Sequence, residues 1–240
     1  MKKVTKCVVL AIAAVLIVLL GAGLLYYLPM FKMNSVETGH ITDTHIYAVK
    51  DIGVNVFFVK TNNGYIMVDA GLNIKNMENA LKEAKIKIND VRWILLTHSD
   101  GDHVAALALF PDASVYMSRN ELPLINGTMK RNFLGSNKMP AGVNTGTIIL
   151  LSDGQELSLH DTKVKCILAP GHTIGSMMYL IDDRYLFTGD VFMIKDGNME
   201  VHPYSMDALQ SKKTIEELSE KFNGDTVMLT SHYGLHYLKQ

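Results

Sequence analysis

Hydrophobic and polar residues change rhythm several times along the chain. Thr44–Val49 alternates apolar and polar positions, and Val54–Lys60 is β-branched and aromatic. Tyr65–Asp69 follows an Asn62-Asn63-Gly64 turn, so this stretch predicts a hairpin running into Ala70-Gly71. Between Asn73 and Lys85, Ile74, Met77, Ala80, Leu81 and Ala84 share one helical face. Val91–Thr97 is a nearly continuous apolar run, the pattern of a strand covered on both faces. A helix is predicted over His103–Phe110, stopped by Pro111, then a short strand at Ser114–Met117. Residues 119–146 contain Pro123, Gly127, Gly135, Pro140, Gly142 and Gly146, which predicts a long loop of the kind that often serves as a lid. Strand patterns return at Thr147–Leu151, Glu156–Leu159, Val164–Ala169, Ser176–Ile181, Tyr185–Thr188 and Thr226–Thr230, with an amphipathic helix at Met206–Phe222. Two groups of strands, each with helices, predict two sheets packed face to face and covered by helices, an α/β (α+β) arrangement.

The first 32 residues do not fit that rhythm. Cys7–Phe31 is 25 residues without a charge, 22 of them hydrophobic. Lys2, Lys3 and Lys6 precede the run and Lys32 follows it. A helix needs about 20 apolar residues to span a bilayer, so residues 1–32 are expected to form a transmembrane signal-anchor. The lysine bias puts the N-terminus in the cytoplasm and the remaining mass outside. Cleavage near Gly21-Ala22-Gly23, giving a secreted protein, is the competing reading. Residues 33–43 would be a tether and 44–240 the catalytic domain. The whole chain of 240 residues has a net charge of −1, but residues beyond 32 carry 19 basic against 24 acidic groups. No basic surface for nucleic acid is expected. Two cysteines, Cys7 and Cys166, exclude a disulfide framework and a cysteine-rich zinc cluster.

The chemistry-bearing residues gather just past strand ends. Directly after Val91–Thr97 comes His98-Ser99-Asp100-Gly101-Asp102-His103, four potential metal ligands within six residues. Imidazole and carboxylate suit zinc, iron or manganese, and small Ser99 and Gly101 let the loop bend its ligands towards one point. His172 in Ala169-Pro170-Gly171-His172-Thr173, Asp190 in Thr188-Gly189-Asp190 and His232 in Ser231-His232 each follow another predicted strand. Separate strand ends converging on one pocket is a common way to build a site.

Taken in order, His98–His103, Pro170–Ser176, Thr188–Asp190 and Ser231-His232 resemble the successive motifs of the metallo-β-lactamase superfamily, and Met67–Gly71 resembles its first motif. The resemblance runs from about residue 44 to 234. It implies an αββα four-layer sandwich with a dinuclear metal site at one edge. It also implies roles: His98, Asp100 and His172 for one metal, Asp102, His103 and His232 for the second, and Asp190 bridging. Asp69 would orient the metal loop without binding metal. The chain departs from the family where Asp100 replaces the usual histidine. Three carboxylates then face two divalent ions, and a bridging hydroxide would bring the centre to neutrality. Such an oxygen-rich site should be a weaker Lewis acid and more tolerant of iron or manganese than one with histidine there.

The expected activity is hydrolysis of an ester, thioester, amide or phosphoester in a small-molecule substrate. Two divalent ions, zinc foremost, would activate a hydroxide, with Asp102 orienting it. The turn and Asp190 motifs resemble the general hydrolase and glyoxalase-II-like branch, and no β-lactam specificity follows. A di-iron oxidoreductase acting on oxygen or nitric oxide is the alternative raised by a carboxylate at position 100, and a non-catalytic binding module is a third. His40, His45, His160 and His202 fall outside the motifs and are read as structural. His236 shares a face with His232 only if that segment is helical. Tyr204 and Tyr233 are read as packing residues, and Met177, Met178, Met193 and Met199 as core fillers. Lys130, Arg131 and Lys138 are read as a solvated charged loop, with reception of an anionic substrate as the sharper alternative.

Overall fold

The computed structural model describes the backbone of residues 2–28, 33–132, 135–222 and 225–237. The chain divides into two units, Met1–Met33 and Asn34–Gln240. The first contains helix α1 (Lys2–Tyr27). Among the described residues no helix is long and apolar enough to cross a membrane. The transmembrane signal-anchor expected from residues 1–32, and a membrane partner with it, is therefore without structural support.

In the second unit the first sheet has seven strands in sequence order: β1 (Gly39–His40), β2 (Ile46–Asp51), β3 (Val54–Thr61), β4 (Gly64–Val68), β5 (Val91–Leu96), β6 (Ser114–Ser118) and β7 (Ile149–Leu151). β1 to β4 pair antiparallel, and β4 to β7 parallel. Helix α2 (Ile74–Ala84) makes the crossover from β4 to β5. The second sheet contains β8 (Glu156–Leu159), β9 (Thr162–Leu168), β10 (Met177–Ile181), β11 (Tyr185–Gly189), β14 (Val227–Thr230) and β15 (Leu235–Tyr237), in the order β15-β14-β11-β10-β9-β8. A small hairpin of β12 (Met193–Lys195) and β13 (Asn198–Glu200) and helix α5 (Ala208–Lys221) lie between β11 and β14 in sequence.

Period-two alternation sorts side chains between layers. Phe57, Val59, Val68 and Leu95 face inward and meet Cys166, Met177, Tyr179, Phe187 and Leu229 of the second sheet; the Phe57 and Phe187 rings meet edge-on at 5.4 Å. Their neighbours Phe58, Met67, Ile94 and Leu96 face outward onto Met77, Ala80 and Leu81 of α2. Met178, Leu186 and Met228 likewise pack on Ile215 and Leu218 of α5. The αββα sandwich expected from the pattern is thus built from two outer cores and one central core. Met177 and Met178 fill the central and outer cores, as read.

Several boundaries differ from the sequence reading. The segment read as a tether is stitched on: the Asn34 N–H donates to His232 O and Gly39–His40 pairs with β2. The helix expected over His103–Phe110 is instead a single turn, α3 (Gly101–Val104), followed by a 3-10 turn at Leu107–Leu109. The cause is that the Ala105 and Ala106 N–H groups donate to Gly71 O and Ala70 O rather than back along a helix. Within 119–146, a 3-10 turn at Arg119–Glu121 leads into helix α4 (Leu122–Ile125). β12, β13 and β15 are too short to show an alternation, and His236 lies on β15 rather than a helix.

At the site end the sheets are drawn close: the Met177 N–H donates to Thr97 O at 2.9 Å and the Tyr179 hydroxyl to Leu96 O at 2.7 Å. Asp51 anchors the entrance of α2. Its buried carboxylate accepts the Leu72 and Asn73 N–H groups at 2.7 and 2.6 Å and the Asn76 side-chain amide at 3.0 Å. Removing it leaves two backbone donors unsatisfied, so Asp51→Ala should cost about 2–4 kcal/mol, read as a lower urea midpoint with unchanged slope.

Candidate metal centre

Every polar residue singled out from the sequence sits where a strand ends. His98, Ser99 and Asp100 follow β5, Asp102 and His103 lie on α3, His172 is in the turn after β9, Asp190 follows β11 and His232 follows β14. The structure brings all seven together. His98, Asp100 and His172 form one cluster and Asp102, His103 and His232 another, with ligand atoms within 4.8 Å in each. In the first, Asp100 Oδ2 lies 3.5 Å from His98 Nε2 and 3.2 Å from His172 Nε2. In the second, Asp102 Oδ2 lies 3.8 Å from His103 Nε2 and 3.4 Å from His232 Nε2. Asp190 Oδ2 stands between them, 3.3 Å from His232 Nε2 and 3.6 Å from the Nε2 atoms of His103 and His172.

The outer hydrogen bonds set which nitrogen of each imidazole faces inward. Gly53 O can only accept, so His232 Nδ1, 2.7 Å away, carries the hydrogen. His103 Nδ1 donates to Asp69 Oδ2 at 2.8 Å. Thr97 Oγ1 gives its hydrogen to Asp69 and therefore accepts from His98 Nδ1 at 3.0 Å. All three Nε2 lone pairs are thereby turned to the centre. Asp69, at the end of β4 with φ of 61°, touches no other carboxylate and supports His103, the Thr97 N–H at 2.8 Å and the Thr97 hydroxyl. It occupies the orienting position expected of it. Gly189 lets the Asp190 loop approach, because its φ of 55° and a Cβ that would meet Thr97 Oγ1 at 2.5 Å exclude a side chain.

Three residues absent from the sequence-based set belong to the site. Glu121 is fully buried and accepts from the Ser99 N–H at 2.9 Å, the Gly175 N–H at 3.0 Å, and the Ser99 and Thr173 hydroxyls. It ties the His98 loop of one sheet to the His172 turn of the other. His202, between β13 and α5, is buried with Nε2 3.8 Å from Asp190 Oδ2, and forms a further cluster with His172 and Asp190. Arg131 reaches in from the long loop: Nε donates to Asp100 Oδ1 and Nη2 to Asp100 Oδ2, both at 2.7 Å. Nη2 also lies 3.1 Å from His172 Nε2 and donates to Tyr204 O at 3.0 Å. Asn137 of the same loop donates to Asp100 Oδ1 and Ser99 Oγ, both at 2.8 Å. The solvated reading of this loop holds for exposed Lys130 and Lys138 and fails for Arg131, whose side chain is only 9% exposed. Local sequence marks none of the three: Glu121 and Arg131 sit in an irregular stretch and His202 between a valine and a proline.

His40, His45 and His160 are exposed and remain apart from the centre. Tyr233 is buried beside His202 and His232, and burial raises its hydroxyl above the usual phenol range.

Charge and burial compete strongly here. Burial alone would raise Asp100, yet the imidazoles of His172 and His98, with Arg131 beside it, hold it well below the usual carboxylate range. Asp102 is opposed by burial and pulled down to about 2 by His103 and His232. Asp190 is likewise depressed by the imidazoles around it. Burial would lower His232, but Asp190 and Asp102 lift it to about 10, and Asp69, Asp102 and Asp190 lift His103 well above 6.5 in the same way. His202, where burial dominates, falls to about 3 and is neutral. Protons on His103 and His232 thus stand in for positive charge that the carboxylates require.

A divalent ion fits this donor set. The Nε2 atoms of His98, His103 and His202 and Asp190 Oδ1 are buried without a hydrogen-bond partner, and unsatisfied buried groups are costly. Deprotonated imidazoles and carboxylates are the ligands zinc takes, so metal uptake must release the protons on His103 and His232. With metal removed, the stability from raised His232 is complete below about pH 6.5 and is lost as pH rises through about 10. Thermal unfolding of chelator-treated protein should show the melting temperature falling across that window, and His232→Gln should flatten the fall.

The sequence profile described as the metallo-beta-lactamase superfamily matches residues 49–227. The probable metallo-hydrolase YybB of Bacillus subtilis is 30% identical over 156 residues, covering 63% of this chain and 67% of that protein. The probable polyketide biosynthesis zinc-dependent hydrolase PksB of the same organism is 28% identical over 164 residues, covering 67% of this chain and only 60% of its own length. Among solved structures, BJP-1, a subclass B3 metallo-beta-lactamase of Bradyrhizobium japonicum, superposes with a TM-score of 0.64 at 20% identity, over 85% of this chain and 80% of that one. Rm3 metallo-beta-lactamase gives 0.63 at 18%, over 83% and 79%; at such identities the likeness concerns the fold. The profile match across most of the second unit, which spans six of the seven clustered residues and ends before His232, means that this chain belongs to the metallo-beta-lactamase superfamily and is a metallohydrolase of that fold.

Proposed function

We propose that this protein hydrolyses an ester, thioester, amide or phosphoester bond of a small molecule at a centre holding two divalent ions, with zinc the first choice. The observation that carries this reading is the convergence of the candidate ligands on one another, with the Nε2 atoms of His98, His103 and His202 and Asp190 Oδ1 buried and without a hydrogen-bond partner. Asp102, His103 and His232 would hold one ion, His98, Asp100 and His172 the other, with Asp190 shared. The name of the relative PksB supports zinc. When bound, such ions polarise a carbonyl or phosphoryl oxygen and bring the pKa of water to near neutrality.

The chain's own residues would do the rest. Asp69 holds His103 in one ring orientation, and Gly53 O does so for His232. Asp102 is the least buried carboxylate of the centre, at 34% side-chain exposure, so it can meet incoming water and orient it. Glu121 keeps the two ligand-bearing loops at fixed separation. The redox alternative rested on a carboxylate at position 100. That carboxylate is engaged by Arg131, and the metal named in a relative is zinc.

Full-length protein, assayed against p-nitrophenyl esters, lactones, thioesters and phosphodiesters, should turn over at least one class, lose that activity to a chelator and regain it with zinc. His172→Ala should lower kcat/KM by about 100-fold or more; equal turnover by wild type and this variant would sink the proposal. Asp69→Asn, which loosens His103 without touching metal, should weaken metal affinity about 10–100-fold, measured by competition with a zinc indicator.

A further inference from the structure

The two ligand clusters are not electrostatically equivalent. Among the described residues no arginine or lysine side chain lies against Asp102, whereas both oxygens of Asp100 are held by the Arg131 fork. Arg131 Nη2 lies among the ligand atoms of the His98–Asp100–His172 cluster, 2.7 Å from Asp100 Oδ2 and 3.1 Å from His172 Nε2. An arginine cannot discard its charge at any physiological pH. A bidentate arginine–carboxylate pair is also among the strong charge-assisted contacts. Its geometry is reinforced by Tyr204 O and by Asn137, which fixes the same carboxylate from the same loop.

We propose that Arg131 is a built-in competitor for the metal at the His98–Asp100–His172 cluster, so that the two positions fill in order. This rests on the metallohydrolase reading above. The first ion enters at Asp102, His103, His232 and Asp190, where no arginine or lysine among the described residues stands against the ligand atoms. The second requires the guanidinium to leave Asp100, and the loop that carries it to move. Occupancy at the His98–Asp100–His172 cluster is then set by free metal concentration. At low free metal the protein holds one ion, with Arg131 supplying the positive charge of the other. The charge at position 131 controls the spacing of the two affinities, and the aspartate that distinguishes this centre from the usual histidine is what gives the arginine its partner.

The test is metal binding by the full chain, stripped with a chelator and equilibrated against buffered series of free zinc. Stoichiometry would be read by elemental analysis, and cobalt absorption would report the two environments. Wild type should bind in two steps whose dissociation constants differ by at least about tenfold. Arg131→Gln should tighten the weaker step by about tenfold or more, bringing the steps together, whereas Arg131→Lys should keep them apart. Asn137→Ala, which removes a neutral contact to the same carboxylate, separates a charge effect from loosening of the loop and should leave the split in place. Circular dichroism checks that each variant is folded. A single step with two equivalent ions in wild type, or a split unmoved by Arg131→Gln, would overturn the ordered filling while leaving the metallohydrolase reading intact. Failure of wild type and all variants to bind either metal would overturn both.

Discussion

Glu121 holds the two halves of the site in register. Its buried carboxylate takes the Ser99 N–H from the loop after β5 and the Gly175 N–H from the turn after β9. Those two segments belong to different sheets, and each carries ligands. A carboxylate with no exposure is tolerated only when its lone pairs are satisfied, and here they are filled by two amides and two hydroxyls. Gly175 is part of the same device, since a Cβ there would stand 2.5 Å from the Glu121 nitrogen. The separation of His98 from His172 is thus set by one side chain that binds neither.

Around that tie, the centre is a problem of compensating negative charge in a dry pocket. Three carboxylates, Asp100, Asp102 and Asp190, meet the imidazoles within a few ångströms. The chain answers in three ways: a fixed cation on Asp100, protons on His103 and His232, and an inward set of nitrogen lone pairs suited to a divalent ion. The fold supplies the rigidity this demands. The ligands leave the ends of parallel or central strands whose other residues are locked between packed layers, and the β5 and β10 ends are bonded directly to each other.

Much of the architecture could be read along the chain. The strand runs around Phe57 and Met177 and the helical spacing of Met77, Ala80 and Leu81 were legible, while the structure showed that Phe57 and Met177 face inward and Phe58 and Met178 outward. Reading failed where local pattern was overridden by distant contacts. The short α3 ends because its next amides turn to Ala70 and Gly71, a pairing that no periodicity within 101–110 records. The hydrophobic N-terminal run was long enough in sequence to suggest a membrane span, while among the described residues no helix is long and apolar enough to cross a membrane.

The sequence by itself determined the ligand types and their placement at strand ends, because a strand followed by a small-residue turn and an imidazole or carboxylate is a local pattern. His98 to His103, His172, Asp190 and His232 were all legible in this way. Only the tertiary structure decided which of them share a cluster, which imidazole nitrogen faces inward, and that Glu121, Arg131 and His202 join them. Arg131 is 31 residues from Asp100, Glu121 lies 54 residues before Gly175, and His202 comes 30 residues after His172. Their roles depend on burial and on partners supplied by remote loops. An arginine in a Gly- and Pro-rich stretch carries no mark of whether it ends in water or on a buried aspartate, since the desolvation and pairing that decide it exist only once the loop has closed over the strand ends.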